Sequence, residues 1–235
     1  MSYILLDEIG RKLATGECNG TIDKENLTVF PKFGNILPFH LRDIYEIETE
    51  NYRILLPIIS KEKLILFNLG YYFEDFLRVL TNLRNEVIIK DLLMNETVRK
   101  PDVDIEFVYY DETGKERQRD IGKIRLYETG LVVIPQRGEV LRVPYSDVVN
   151  VSEENHSIKI STEFGDHLLF SKLGSEFDPF LKALSDAHNA LQSKAASSLT
   201  TLYPGINPVS LRRIASLMKE GKAARRVDIE LVNPR

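Results

Sequence analysis

Lys115, Arg117 and Arg119 stand at alternate positions of the run Lys115-Glu116-Arg117-Gln118-Arg119. Alternate side chains of an extended strand share a face, so the three would form one cationic surface. The planar arginine fork suits phosphate oxygens, and the chemistry on offer is anion binding. Glu112, Glu116 and Asp120 sit among these residues and dilute the field, so a solvated hairpin is the plainer expectation. A second basic set, Arg212 and Arg213 with Lys219, Lys222, Arg225 and Arg226, lies near the C-terminal end.

Catalytic chemistry finds less support. His40, His156, His167 and His188 are far apart, and none belongs to a metal-ligand spacing. There is no nucleophile elbow, phosphate loop or dinucleotide fingerprint. Cys18 is the single cysteine, so no internal disulfide can form, and a reducing cytoplasm is the expected setting. Neither an enzyme, a cofactor nor a metal is expected. No apolar run approaches the ~20 residues of a membrane span, and the start Met1-Ser2-Tyr3-Ile4 lacks the basic beginning of a signal peptide.

These residues must be positioned by a duplicated scaffold. Residues 3–87 align with 107–191 at a constant offset of 104 without a gap, and twenty of the 85 positions are identical. The identities include Asp7/Asp111, Gly10/Gly114, Asp43/Asp147, Asn51/Asn155 and Gly70/Gly174. The run Phe73, Phe76, Leu77, Leu80 recurs as Phe177, Phe180, Leu181, Leu184. Such a period is too long for a solenoid and suits a whole small domain. Asp43 and Asp147 are expected to open a strand through backbone hydrogen bonds rather than to catalyse.

In the second repeat, apolar alternation marks seven short strands between Ile105 and Phe170, separated by turn signals such as Thr113-Gly114 and Glu154-Asn155. From Phe177 the apolar period changes to that of a helix. The first repeat gives the same order, with its helix starting near Tyr71 and running toward Asn95. The chain therefore predicts an α+β fold of two tandem domains, each seven antiparallel strands in a partly open barrel or sandwich capped by one C-terminal helix. The expected divisions are a first domain over 1–98, a linker at 99–103, a second domain over 104–192, a linker at 193–206 and a basic helical extension over 207–235. Asn207-Pro208 reads as its N-cap and first helical residue, and Leu211, Ile214, Ala215 and Met218 form its apolar stripe.

This order of elements resembles the pleckstrin-homology-like superfamily in its bacterial and archaeal style. The resemblance rests on Gly130-Leu131-Val132-Val133-Ile134-Pro135, on Val143-Pro144-Tyr145-Ser146-Asp147-Val148 and on the Phe177/Phe180/Leu181 helix. The tryptophan common in the C-terminal helix of eukaryotic members is absent, so Leu184 or Phe180 would fill its space. The resemblance implies binding modules rather than enzymes. It also implies a lipid-headgroup reading for the Lys115, Arg117, Arg119 hairpin, since lipid-binding members grip phosphorylated headgroups there.

Differences between the repeats point to a binding face. The pairs Leu55/Lys159, Pro57/Ser161, Ile59/Glu163, Phe67/Ser171 and Tyr72/Glu176 are apolar in the first repeat and polar in the second. Core positions such as Ile54/Ile158 and Leu56/Ile160 keep their character. Residues 55, 57 and 59 are expected on one strand face, and Pro57 suggests an edge or bulged strand. Burying three such side chains is worth on the order of 5 kcal/mol, so a cover is expected: the chain itself, a second copy, or a partner.

Charge divides unevenly. Residues 1–191 carry 23 Lys/Arg against 32 Asp/Glu, a net of −9, while residues 192–235 carry 8 against 3, a net of +5. The leading expectation is a cytoplasmic, non-enzymatic adaptor for another protein or for a second copy of itself. Similar tandem arrangements occur in prokaryotic signalling adaptors, among them archaeal taxis adaptors, and in eukaryotic histone chaperones. The alternative is a peripheral membrane module that offers Lys115, Arg117, Arg119, Arg212 and Arg213 to anionic lipid. Nucleic acid is not an expected partner, because the overall charge is acidic and basic–aromatic interleaving is missing.

Overall fold

The computed structural model describes residues 1–93, 96–202, 205, 207–217 and 227. By compactness the chain divides into two units, one of Met1–Met94 with Ile134–Val140 and one of Asn95–Val133 with Leu141–Arg235.

The first repeat runs β1 (Ser2–Leu6), β2 (Lys12–Ile22), β3 (Asn26–Pro31), β4 (Leu37–His40), a one-turn helix (Leu41–Asp43), β5 (Glu48–Glu50), β6 (Arg53–Pro57) and β7 (Lys63–Phe67). A second one-turn helix (Gly70–Tyr72) leads into α1 (Phe73–Leu93). The second repeat has β8 (Lys100–Tyr110), β9 (Glu116–Leu126), β10 (Gly130–Pro135), β11 (Leu141–Pro144), a one-turn helix (Tyr145–Asp147), β12 (Val148–Glu154), β13 (Ser157–Thr162) and β14 (His167–Ser171). A one-turn helix (Gly174–Glu176), α2 (Phe177–Leu202) and α3 (Pro208–Leu217) follow. Each repeat forms one seven-stranded sheet, in the orders β4-β3-β2-β1-β7-β6-β5 and β11-β10-β9-β8-β14-β13-β12. Two antiparallel seven-stranded sheets, each followed by a helix, agree with the order read from the sequence.

The repeated polar residues prove to be turn-makers. Asp7 Oδ1 accepts the Ile9 and Arg11 N–H groups at 3.1 and 2.8 Å, and Asp111 Oδ1 accepts those of Thr113 and Lys115 at 2.9 and 3.0 Å. Gly10 and Gly114 follow with φ of 78° and 76°, a left-handed conformation that glycine adopts without a Cβ penalty. Asn51-Tyr52 and Asn155-His156 all have positive φ and join β5 to β6 and β12 to β13 by two-residue turns. The backbone carbonyls of Asp43 and Asp147 accept the Ile59 and Glu163 N–H groups at 2.8 and 2.9 Å, holding each chain where it enters β5 or β12.

Each unit buries its own core. In the first, Ile54, Leu56, Leu64 and Leu66 point inward from β6 and β7 and meet Leu77 and Leu80 of α1. In the second, Ile158, Ile160, Leu168 and Phe170 meet Phe180 and Leu184 of α2. Phe180 is fully buried and Leu184 nearly so, so both fill the helix side of this core.

Some boundaries differ from the sequence expectation. The segment expected as a linker at 99–103 is already strand from Lys100. The segment expected as a linker from 193 is helix as far as Leu202. There the hydroxyls of Ser197, Ser198, Thr200 and Thr201 each donate to the carbonyl four residues earlier, so small polar side chains are satisfied without leaving the helix. Tyr71 and Tyr72 lie in the one-turn helix that precedes α1, while Asn95 is outside the described residues. Asn207 caps α3, its Oδ1 accepting the Val209 N–H at 2.8 Å. Leu211 and Ile214 of α3 pack on Leu199 of α2, so the extension docks on the helix before it. Met218, Lys219, Gly221, Lys222, Arg225 and Arg226 lie outside the described residues.

Candidate functional site

The outer face of the first sheet gathers six apolar side chains. Strand register places Leu55 opposite Ile65 and Ile65 opposite Ile4, making a row across β6, β7 and β1. Pro57 and Leu6 both pair with Lys63, and Phe67 pairs with Ser2. All six apolar side chains are half-buried, while their strand neighbours Ile54, Leu56, Leu64 and Leu66 are fully buried. The Lys63–Glu48 ion pair (3.3 Å) lies at the margin of this face. The same face of the second repeat carries Lys159 opposite Leu169 opposite Val108, and Ser161 opposite His167 opposite Tyr110. There the Tyr110 and His167 rings stack at 4.6 Å.

The five residues singled out from sequence are thus only partly brought together. Leu55, Pro57 and Phe67 share the face. Ile59 lies in the turn after β6 and is 64% exposed, because the strand ends at Pro57. Pro57 itself terminates an interior strand rather than an edge, and its carbonyl accepts the Tyr45 N–H at 2.8 Å. Tyr72 belongs elsewhere, bordering a groove of 580 Å³ with Met1, Cys18, Phe76 and Val79. Ile4, Leu6 and Ile65 were missed because their partners Val108, Tyr110 and Leu169 are not polar, so a contrast between repeats could not reveal them. The period-2 alternation of Ser2–Leu6 and Lys63–Phe67 carried that signal.

A second concavity lies in the second repeat between α2 and β12. It has a volume of 430 Å³ and is lined by Val149, Val151, Leu181 and His188 among others. β12 is the last strand of its sheet, so among the described residues its outer row of backbone groups has no strand partner.

The basic hairpin is largely neutralised where it stands. Arg117 Nε donates to Asp111 at 2.6 Å, and Arg119 forks onto both Glu116 oxygens at 3.0 and 2.7 Å. Lys123 and Arg125 both face Asp102. Lys115 precedes β9 in the turn and is exposed. Arg213 is exposed on α3. Arg212 lies within the helical span, and its side chain is outside the described set.

The Asp111 carboxyl is held well below the usual carboxylate range. The Thr113 hydroxyl is the main cause, and the Lys115 N–H, the Arg117 guanidinium and the Thr113 N–H add to it. A depressed folded-state value contributes stability that is complete above the unfolded value of about 4 and is lost as pH falls below it. Asp111→Asn is therefore expected to lower the urea midpoint at pH 7. The gap from the unsubstituted chain should narrow toward pH 3; a gap that is constant with pH would show that the charge contributes nothing.

Among the described residues no group of three His, Cys, Asp or Glu side chains could hold a metal ion. Burial pushes the Cys18 thiol up, away from the thiolate. Burial likewise raises the Tyr145 hydroxyl, which donates to the Tyr127 carbonyl at 3.1 Å. No helix among the described residues is long and apolar enough to cross a membrane, which says nothing of crossing by strands.

No family model matches the chain, and no curated protein does. Among solved structures it is similar to the C-terminal domain of an unknown protein from Leishmania infantum. The identity is 12%, the coverage 44% of this chain and 97% of that one, and the TM-score 0.34. So slight a likeness carries no argument about fold or function.

Proposed function

We propose that this chain is a non-enzymatic scaffold of tandem pleckstrin-homology-like domains that presents an apolar sheet face to another protein. The fold reading is supported by the shared order of seven antiparallel strands and one following helix in both repeats. The functional reading rests on one observation: Ile4, Leu6, Leu55, Pro57, Ile65 and Phe67 make one face apolar, and the other copy carries Lys159, Ser161 and Ser171 in place of Leu55, Pro57 and Phe67. The fold therefore does not need apolar groups at those three positions, and a partly exposed apolar face of this kind favours a protein cover. The cytoplasm remains the proposed setting, and catalysis forms no part of the proposal.

Anionic-lipid binding is the weaker reading, because Arg117 and Arg119 already have carboxylate partners. A headgroup would have to displace Asp111 and Glu116.

Leu55→Lys combined with Phe67→Lys tests the scaffold reading. Both side chains are half-buried on the outer face, so stability should change by about 1 kcal/mol or less per site. A partner cross-linked to the unsubstituted chain should be lost from the double variant. If the double variant unfolds the first unit, the face is structural and the proposal fails. If light scattering finds a dimer that the double variant dissociates, the cover is a second copy.

A further inference from the structure

One contact of the first unit has an unfilled counterpart in the repeat. The tip of the β10–β11 hairpin, Ile134–Val140, belongs to the same compact unit as α1 and lies against it. The Asn85 amide donates to the Gly138 carbonyl at 3.3 Å, and Arg84 meets Glu139 at 3.1 Å. Arg137 meets Glu74 at 2.9 Å, with Asp75 and Leu77 close by. On this face of α1, Thr81, Arg84 and Asn85 are 2%, 4% and 0% exposed.

The repeat offset of 104 supplies both halves of this contact a second time. The hairpin tip returns as residues 30–36 between β3 and β4, and Gly34 repeats the positive φ of Gly138, 113° against 91°. The helix face returns as Ser185, His188 and Asn189 of α2, beside the cleft that Val149 and Leu181 also line. Both halves stand open. Ser185 and Asn189 are exposed, and so are Phe33 at 92% and Ile36 at 59%. β10 is buried along its whole length, whereas Phe30 at the end of β3 is 38% exposed.

The residue changes match across the contact. Arg84 and Glu139 become His188 and Asn35, so a cation and its anion are lost together. Arg137 and Asp75 become Phe33 and Pro179, which again removes one charge of each sign. The acid of Glu74 persists as Asp178, and Lys32, paired with Glu17 at the surface, replaces Gln136 on the facing side. Asn189 keeps the amide that Asn85 gives to a hairpin carbonyl.

From this correspondence we propose that the β3–β4 hairpin tip of one copy docks on α2 of a second copy of this chain. Asn189 donates to the Gly34 carbonyl, and the Asn35 carboxamide shares a hydrogen bond with the His188 imidazole. Phe33 and Ile36 leave solvent against the apolar side chains of Leu181 and Val149. No strand is added to β12. The two surfaces differ, so the contact is heterologous and generates a closed ring or an open chain of copies. This proposal is independent of the sheet face of the first unit.

Sedimentation velocity of the full chain from about 1 to 200 µM tests it, with mass expected to rise across that range. Phe33→Asp puts a carboxylate on the hairpin tip, and Ser185→Arg fills the facing cleft. Each should weaken association about tenfold or more. The melting temperature should not change, because both positions are exposed. Mixing the variants is the sharper arm. The Ser185→Arg copy keeps its hairpin and the Phe33→Asp copy keeps its cleft, so together they should form a one-to-one pair that neither forms alone. A chain that stays monomeric throughout, association indifferent to both variants, or a mixture that does not pair would overturn the proposal. Association that only Leu55→Lys with Phe67→Lys dissociates would overturn it too, and would assign the second copy to the sheet face.

Discussion

Phe180→Ala is expected to remove most of the stability of the second unit, while the equivalent Phe76→Ala in the first costs far less. Both residues occupy the same turn of their helices and are identical in sequence. Phe180 is fully buried in a core with Phe107, Phe170, Leu168 and Leu184. Its truncation leaves a ring-sized void whose lining cannot fully relax, at a cost of about 4 kcal/mol. Phe76 is only partly buried and borders the open groove beside Met1 and Cys18, so part of its ring already meets solvent. About 1–2 kcal/mol is expected there. Amide hydrogen exchange resolved by peptide would read the two units separately, where one melting temperature would blend them. Equal losses of protection in both variants would contradict the burial contrast.

Arg84→Met is expected to destabilise the first unit by about 3 kcal/mol, because two backbone carbonyls would be left without their donor in a largely dry setting. The methionine replaces the alkyl stem, so the loss reports the guanidinium rather than packing. Arg84→Lys should recover only part of it, since a single ammonium cannot reproduce the forked geometry on the Ile44 and Tyr45 carbonyls. Urea titration of the three forms, with exchange protection of the segment 41–50 as the local probe, checks this. A loss below about 1 kcal/mol would mean that water replaces the guanidinium at little cost.

Much of the scaffold was legible in the residues. The offset of 104 exposed the duplication, and strand alternation followed by helical periodicity gave seven strands and a helix in each copy. These signals are local, as are the turn residues Asp7, Gly10 and Asn51 with their counterparts, whose hydrogen bonds and positive φ are set within four residues. The segment 193–202 is helix rather than linker because small polar residues such as Ser197 and Thr201 satisfy themselves on helical carbonyls as readily as on water.

The surfaces were another matter. Contrast between the repeats found Leu55, Pro57 and Phe67, yet it misplaced Ile59 and Tyr72, because a sequence does not say where a strand stops and a turn carries its side chain away. It passed over Ile65, which faces Leu55 across the β6–β7 pair, and Ile4, whose place beside Ile65 depends on pairing between strands about sixty residues apart. For the basic run a solvated hairpin was the plainer expectation, and the structure names the carboxylates that meet its arginines as Asp111 and Glu116. Arg84 and His188 carried no signal as single residues. Their meaning arises from the fold, which sets the Arg84 guanidinium on the Ile44 and Tyr45 carbonyls and places His188 in the lining of an open cleft. The sequence by itself determined the repeat, the order of elements and the turns, because those follow from short-range chemistry. Which groups become neighbours across the chain, and so which surfaces remain to bind, was decided only by tertiary structure.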